Sequence, residues 1–221
     1  MIKKKFPFDE MIKTLTGLFP EEAAPVITRL SRETKKDPFI ILVGTLLSLR
    51  TKDETTEKVM GILMPLVRSP QDLIDIPVAE LERLIYPVGF YRNKAKILKE
   101  VASEIINTYG GTVPDTIEEL LTIRGIGRKT ANLVVTEGYG KPGICVDTHV
   151  HRISNRLGIV STRNPIQTEE ALRKVLPQRY WIIYNALLVT FGKKICTPLS
   201  PKCSQCPLAS LCEKRGVTRS R

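Results

Sequence analysis

The chain has 221 residues, 42% of them hydrophobic, and a formal net charge of +11 from 34 basic and 23 acidic side chains. This length holds one large domain or two small ones with real cores, and the apolar fraction excludes global disorder. The charge suits a phosphate polyanion or an anionic surface, while the longest apolar run, Phe39 to Leu49, falls short of the ~20 residues a bilayer span needs.

The opening segment, MIKKKFPFDEMIKTL, has lysines but no apolar run behind them, so no secretory signal is read. The expectation is a soluble intracellular protein, cytoplasmic and nucleoid-associated if prokaryotic, whose thiols stay reduced. Nearly every later segment reads as helix. Asp37-Pro38 offers an N-cap and a first-position proline ahead of FIILVGTLLSLR, which is apolar on most faces and so predicts a central core helix. DETTEKVMGILMPLV is expected to start on a cap at Asp53, Ser69-Pro70 opens SPQDLID, and Pro77 opens PVAELERLIYPV. In RNKAKILKEVASEIINTY the apolar residues Ala95, Ile97, Leu98, Val101, Ile105 and Ile106 recur at helical spacing, until Gly110-Gly111 stops them. Asp115 and Glu118 form a capping-box pattern ahead of EELLTI. DTHVHRISNRLG, TEEALRKVL and RYWIIYNALLVTFG complete an all-α fold of ten or so helices, with no repeat, low-complexity linker or obvious boundary.

LLTIRGIGRKTANLVV, Leu120 to Val135, joins two of these helices. Gly125 and Gly127 bracket Ile126, which is expected to pack inward, and glycines at this spacing permit a tight turn with positive φ and close backbone approach. Such a turn aims main-chain N–H groups outward at a helix start, where a phosphate can sit, and Arg128 and Lys129 follow at once. This is the helix–hairpin–helix pattern, at about residues 118–137, which holds a DNA backbone without reading its sequence.

Four of the five cysteines fall within seventeen residues, CTPLSPKCSQCPLASLC, as C-x6-C-x2-C-x5-C. The four thiolates suit a [4Fe–4S] cube, and on spacing alone zinc stays a serious rival. The surrounding tail, residues 193–221, holds Lys193, Lys194, Lys202, Lys214, Arg215, Arg219 and Arg221 against Glu213 alone, more than half of the net charge. The fifth cysteine, Cys145, reads as a buried structural thiol. His149 and His151 are two apart, on different faces of a helix, and so do not form a metal pair.

GIGRKTAN at 125–132, VDTH at 146–149 and the cysteine spacing, in this order, resemble the endonuclease III family, the helix–hairpin–helix DNA glycosylase superfamily with an iron–sulfur cluster. LLSLRTKD at 46–53 and VGFYRNKA at 88–95 resemble further family segments, so the resemblance covers nearly the whole chain. It implies two helical domains flanking a DNA-binding cleft. A six-helix barrel would span residues 31–141 and include the hairpin. Residues 1–30 with 142–221 would form a discontinuous second domain carrying a [4Fe–4S] cluster on Cys196, Cys203, Cys206 and Cys212, with a cluster loop at 196–212. The implied activity is a bifunctional DNA glycosylase and β-elimination lyase for oxidised pyrimidines such as thymine glycol. The partner would be duplex DNA carrying damaged pyrimidines or abasic sites, with no membrane partner and action as a monomer.

The lysine of GRKTAN places the family's nucleophile on Lys129, and an amine there can attack the sugar C1′ and form a Schiff base. The aspartate of VDTH maps onto Asp147, able to stabilise positive charge at C1′; its alternative role is a helix N-cap. Gly125, Gly127, Arg128 and Thr130 would hold phosphate at the hairpin, and Lys202 would meet phosphates from the cluster loop. The resemblance places residues that fill the gap left by an extruded base at Arg50 and Phe90. Arg50 stands where the family usually has glutamine, which leaves the opposite-base preference open, and Arg124 stands where proline commonly starts the hairpin. A mismatch-type glycosylase of the same superfamily and a non-catalytic DNA-binding module are the rival functions. Adenine-specific relatives generally lack the lysine and carry a further C-terminal domain, whereas this chain has Lys129 and nine residues after Cys212.

Overall fold

The computed structural model describes residues 6–221, so Lys3, Lys4 and Lys5 of the opening segment lie outside the described residues. Among the described residues the chain is all-helical, with twelve α-helices, short 3₁₀ turns and no strand. In order these are α1 (Phe8–Leu18), α2 (Val26–Glu33), α3 (Pro38–Ser48), α4 (Asp53–Leu63), α5 (Pro70–Asp75), α6 (Val78–Ile85), α7 (Tyr91–Tyr109), α8 (Ile117–Thr122), α9 (Arg128–Leu133), α10 (Thr148–Arg156), α11 (Pro165–Val175) and α12 (Trp181–Lys194). The chain divides into two compact units, one spanning Val26–Gly143 and the other combining the chain before Val26 with Ile144–Arg221. No helix among the described residues is long and apolar enough to cross a membrane.

In the Val26–Gly143 unit, α3 is the core helix its composition predicts. Every residue from Phe39 to Leu47 is buried, because a helix apolar on all faces must be covered on all of them. It packs against α2, α4, α7, α9 and the π-helical turn, Val134–Gly138, that continues α9. Asp37 starts it by accepting from the N–H groups of Phe39 (2.9 Å) and Ile40 (3.0 Å), a cap worth about 1 kcal/mol. Ser69 and Asp72 form a full capping box on α5. In α7 the stripe Ala95, Leu98, Val101, Ala102 and Ile105 is buried, and Gly110 ends the helix in the left-handed conformation.

Two helix starts in this unit differ from their expectations. Asp53 is the first residue of α4 and does not cap it; its carboxylate instead accepts from the Val26 N–H at the start of α2 (3.4 Å). The box ahead of α8 lies one residue later than Asp115 and Glu118. Thr116 caps, accepting from the Glu119 N–H (3.3 Å) and donating to its carboxylate (2.6 Å), while Asp115 pairs with Lys141 at 2.6 Å.

The second unit packs α1, α10, α11 and α12 around Met11, Leu15, Val150, Ile153, Leu172, Tyr184 and Phe191. Here α11 begins at Pro165, ahead of TEEALRKVL, because Asn164 caps it through the Gln167 N–H (3.0 Å). Leu208, from the cysteine-rich loop, is fully buried in the same core. That loop is therefore anchored by packing. Cys145 is buried, as expected of a structural thiol, and no disulfide joins any of the five cysteines.

Candidate DNA site and iron–sulfur loop

The hairpin lies between α8 and α9. Ile126 is buried in the core of its unit, and its N–H donates to the Ile123 carbonyl (3.1 Å), which closes the turn. The two glycines have different reasons to be there. Gly125 has φ +96°, and a β-carbon on it would stand 2.9 Å from Cγ2 of Ile97. Gly127 caps α9 in an extended conformation, φ −95° and ψ 171°, and a β-carbon there would meet nothing within 4 Å. Neither backbone nor packing demands glycine at 127, whereas close approach of an outside group would. Gly125→Ala is therefore expected to lower the thermal midpoint, through left-handed strain and the Ile97 clash. Gly127→Ala should cost little stability and weaken binding to an abasic-analogue duplex by about tenfold, ~1.4 kcal/mol. Melting curves and fluorescence anisotropy on both variants check the pair.

Arg124 and Arg128 are exposed around this turn and Lys129, the second residue of α9, is half-buried. The first N–H groups of a helix have no partner within it and point along its axis, so this start favours an anion. Thr130 is 1% exposed. Its hydroxyl is withdrawn from the surface, which confines any outside contact to the main chain.

In the same unit, Arg50 and Phe90 come together from separate loops. The Arg50 guanidinium stands 5.8 Å from the centroid of the Phe90 ring. Both residues are exposed, and both have left-handed backbones, φ +54° and +59°. For residues of this bulk such a conformation costs on the order of 1–3 kcal/mol and persists where the surroundings impose it. Phe90 is therefore not the core aromatic that composition alone allows. It is 65% exposed.

Asp147 belongs to the other unit. It caps α10, its Oδ1 accepting from the N–H groups of His149 (2.8 Å) and Val150 (2.9 Å). The two histidines turn to different neighbours. His149 Nδ1 lies 3.2 Å from Nη2 of Arg152, and His151 Nδ1 lies 2.6 Å from Oγ1 of Thr168.

Farther along α10, Arg152 and Arg156 reach the cysteine loop. Arg152 donates to the Cys196 carbonyl (2.8 Å). Arg156 donates to Cys196 Sγ (3.4 Å) and to the carbonyls of Thr197 (2.8 Å) and Pro198 (2.6 Å). The Lys214 N–H points at Cys212 Sγ (3.3 Å). Cys196, Cys203, Cys206 and Cys212 line one space together with Ile153, Leu157 and Phe191. Among the described residues no three His, Cys, Asp or Glu side chains converge on a single ion. The four cysteines thus share one space at the end of α10. Guanidinium and N–H donors stabilise thiolates. Burial pushes the Cys206 and Cys212 thiols up, and a metal ligated there would take the protons' place. Half-buried Lys202 lines the same space.

Removal of the iron, or Cys203→Ala, is expected to bleach the visible absorbance and lower the melting midpoint. A loss of about 2 kcal/mol corresponds to roughly 4–8 °C in a chain of this size. Calorimetry alongside the absorption spectrum checks it.

Neither arginine of α10 was singled out in the sequence, although their i, i+4 spacing places them on one helix face. Lys94 was also missed, although it stands four residues before Leu98 on the buried stripe of α7.

Residues 43–178 match the HhH-GPD superfamily of base excision DNA repair proteins, and residues 196–212 match the iron–sulfur binding domain of endonuclease III. The chain is 47% identical to endonuclease III of Thermotoga maritima over 210 residues, covering 92% of this chain and 99% of that protein. It is 39% identical to endonuclease III of Bacillus subtilis, covering 83% and 87% of the two chains. Among solved structures, a trapped endonuclease III–DNA covalent intermediate aligns with a TM-score of 0.76 at 39% identity, covering 80% of this chain and 84% of that one. A thermostable thymine-DNA glycosylase aligns with a TM-score of 0.75 at 26% identity, covering 86% and 93%.

Proposed function

The chain belongs to the endonuclease III family, DNA glycosylases and abasic-site lyases of base excision repair with a [4Fe–4S] cluster, and from that premise we propose that it removes oxidised pyrimidines from duplex DNA as a monomer, through a Schiff base on Lys129. The observation that carries this is the hairpin. A surface glycine with open space above it leads straight into a helix whose second residue is a half-buried lysine.

The main-chain N–H groups at the start of α9, with Arg128, hold the backbone phosphate next to the lesion. The Lys129 amine attacks C1′ as the N-glycosidic bond breaks, and the departing base takes up a proton. Asp147 stabilises the positive charge that develops at C1′ and assists the proton movements. Opening of the sugar ring leaves an imine between Nζ and C1′. Loss of a C2′ proton then breaks the C3′–O bond and cuts the strand 3′ to the lesion, and water releases the lysine. Arg50 and Phe90 occupy the gap from which the base was extruded.

Cys196, Cys203, Cys206 and Cys212 would hold the cluster, which would cross-link the basic loop carrying Lys202, while Arg152 and Arg156 bond that loop to α10. No bond-breaking step passes through it.

The test is incubation of the cluster-loaded protein with a thymine glycol duplex and with a plain abasic duplex, each with borohydride. A covalent adduct on both is the expected result. An adduct on the abasic duplex alone means a lyase with another base preference, for which a mismatched thymine is the next substrate. Binding with no adduct on either duplex would falsify the Schiff-base reading.

A further inference from the structure

Lys94 is 6% exposed, in the first turn of α7. Its ammonium donates to three oxygens of another segment: the carbonyls of Leu47 (2.7 Å) and Leu49 (2.5 Å) and the hydroxyl of Thr51 (3.0 Å). The two carbonyls lie at the C-terminal end of α3, where a cation also meets the negative pole of the helix. The Thr51 hydroxyl accepts in addition from the Gly89 N–H (3.2 Å). Gly89 lies so close to the other loop that a β-carbon on it would stand 2.7 Å from the Arg50 carbonyl oxygen. The Lys94 N–H itself donates to the Phe90 carbonyl (3.0 Å).

One buried residue thus bonds on both sides of Arg50, at Leu49 and Thr51, and reaches Phe90 directly and through Thr51 and Gly89. Arg50 and Phe90 are the two exposed, left-handed residues at the tips of these loops, with guanidinium and ring in contact. Such backbones persist where the surroundings impose them, and the Lys94 bonds flank Arg50 and reach Phe90. Burial draws Lys94 down from 10.5 to about 8, and a desolvated ammonium needs its oxygen partners.

We propose that Lys94 is a positioning residue that locks the Arg50 and Phe90 loops into one two-pronged element for insertion into the duplex. This rests on the reading that Arg50 and Phe90 fill the gap left by the extruded base. Lys94 touches no reacting atom, so its effect should appear only where a base must leave a duplex.

The test uses Lys94→Met, which keeps the aliphatic stem and removes the donors, and Thr51→Val, which cuts the link to Gly89 and leaves the two carbonyl bonds intact. Two rates and the melting midpoint are measured on cluster-loaded protein: single-turnover excision of thymine glycol from a duplex, strand cleavage of a single-stranded abasic oligonucleotide, and thermal unfolding. Lys94→Met is expected to slow duplex excision at least ~10-fold and leave single-stranded cleavage within about twofold; added to Phe90→Ala, it should cost little more, because residues that act through one element are not additive. A general loss of structure would slow both substrates alike. Duplex excision unchanged in folded Lys94→Met, or losses that multiply in the double variant, would overturn the proposal. If Lys94→Met does not fold, Thr51→Val decides by the same comparison: selective loss on the duplex supports the lock, and equal rates on both substrates overturn it. If Arg50→Ala and Phe90→Ala each leave duplex excision intact, the gap-filling reading fails and the lock with it. That result is separable from a failure confined to Lys94.

Discussion

Lys129→Ala is expected to abolish borohydride trapping and to slow strand cleavage at a preformed abasic site by about 10³-fold or more, equivalent to at least ~4 kcal/mol of barrier. The change removes the only atom in this scheme that bonds to C1′, so no neighbouring group inherits the step. Arg128 offers a guanidinium, which donates hydrogen bonds and cannot serve as the amine nucleophile. Stability should hold, because alanine is the best helix former and Lys129 is only half-buried in the first turn of α9. Binding to a non-cleavable abasic duplex should fall only a few-fold, by the worth of one phosphate contact. Gel electrophoresis of the trapped species, single-turnover cleavage and anisotropy separate the three quantities. A variant that still traps on the abasic duplex would move the Schiff base to another amine.

Much of this was legible in the sequence where one physical cause dominates. Asp37-Pro38 before an all-apolar run could mean little other than a capped, fully buried helix, and α3 is that helix. The cysteine spacing and the Gly125-Ile126-Gly127 turn were legible because ligand sets and tight turns demand particular residues at particular offsets. Misplaced starts came where a carboxylate had two possible customers. Asp53 and Asp115 each look like local caps, but Asp53 reaches the Val26 N–H and Asp115 reaches Lys141, partners that become neighbours only on folding. The same holds for functional support. Lys94, Arg152 and Arg156 act on carbonyls and sulfur from residues 40 or more positions away. A lysine on a buried stripe is the sole local sign that such a partner exists. Phe90, which the resemblance placed as a gap-filling residue, is exposed, and its neighbour Gly89 lies so close to the Arg50 carbonyl that a β-carbon there would not fit.

Asp147→Asn isolates chemistry from architecture at the one proposed catalytic position with a visible structural job. Oδ1 of Asp147 takes both cap bonds, from His149 and Val150, and an asparagine Oδ1 can take the same two, since Asn and Asp cap about equally well. The melting midpoint should therefore stay put. What disappears is the negative charge, and with it the stabilisation of a cationic C1′, so base excision is expected to fall by about 10²–10⁴-fold. Cleavage at a preformed abasic site should suffer less, because the base has already gone and the lysine attacks a sugar that ring-opens without a leaving group to expel. Asp147→Ala adds the loss of the cap, about 1 kcal/mol and hence roughly 2–4 °C, with no further loss of excision beyond that of the asparagine variant. Stopped single-turnover assays on the thymine glycol and abasic duplexes, with melting curves on both variants, resolve the two roles. Full excision by a folded Asp147→Asn would reduce this residue to the N-cap of α10, and the charge facing C1′ would have to come from another carboxylate.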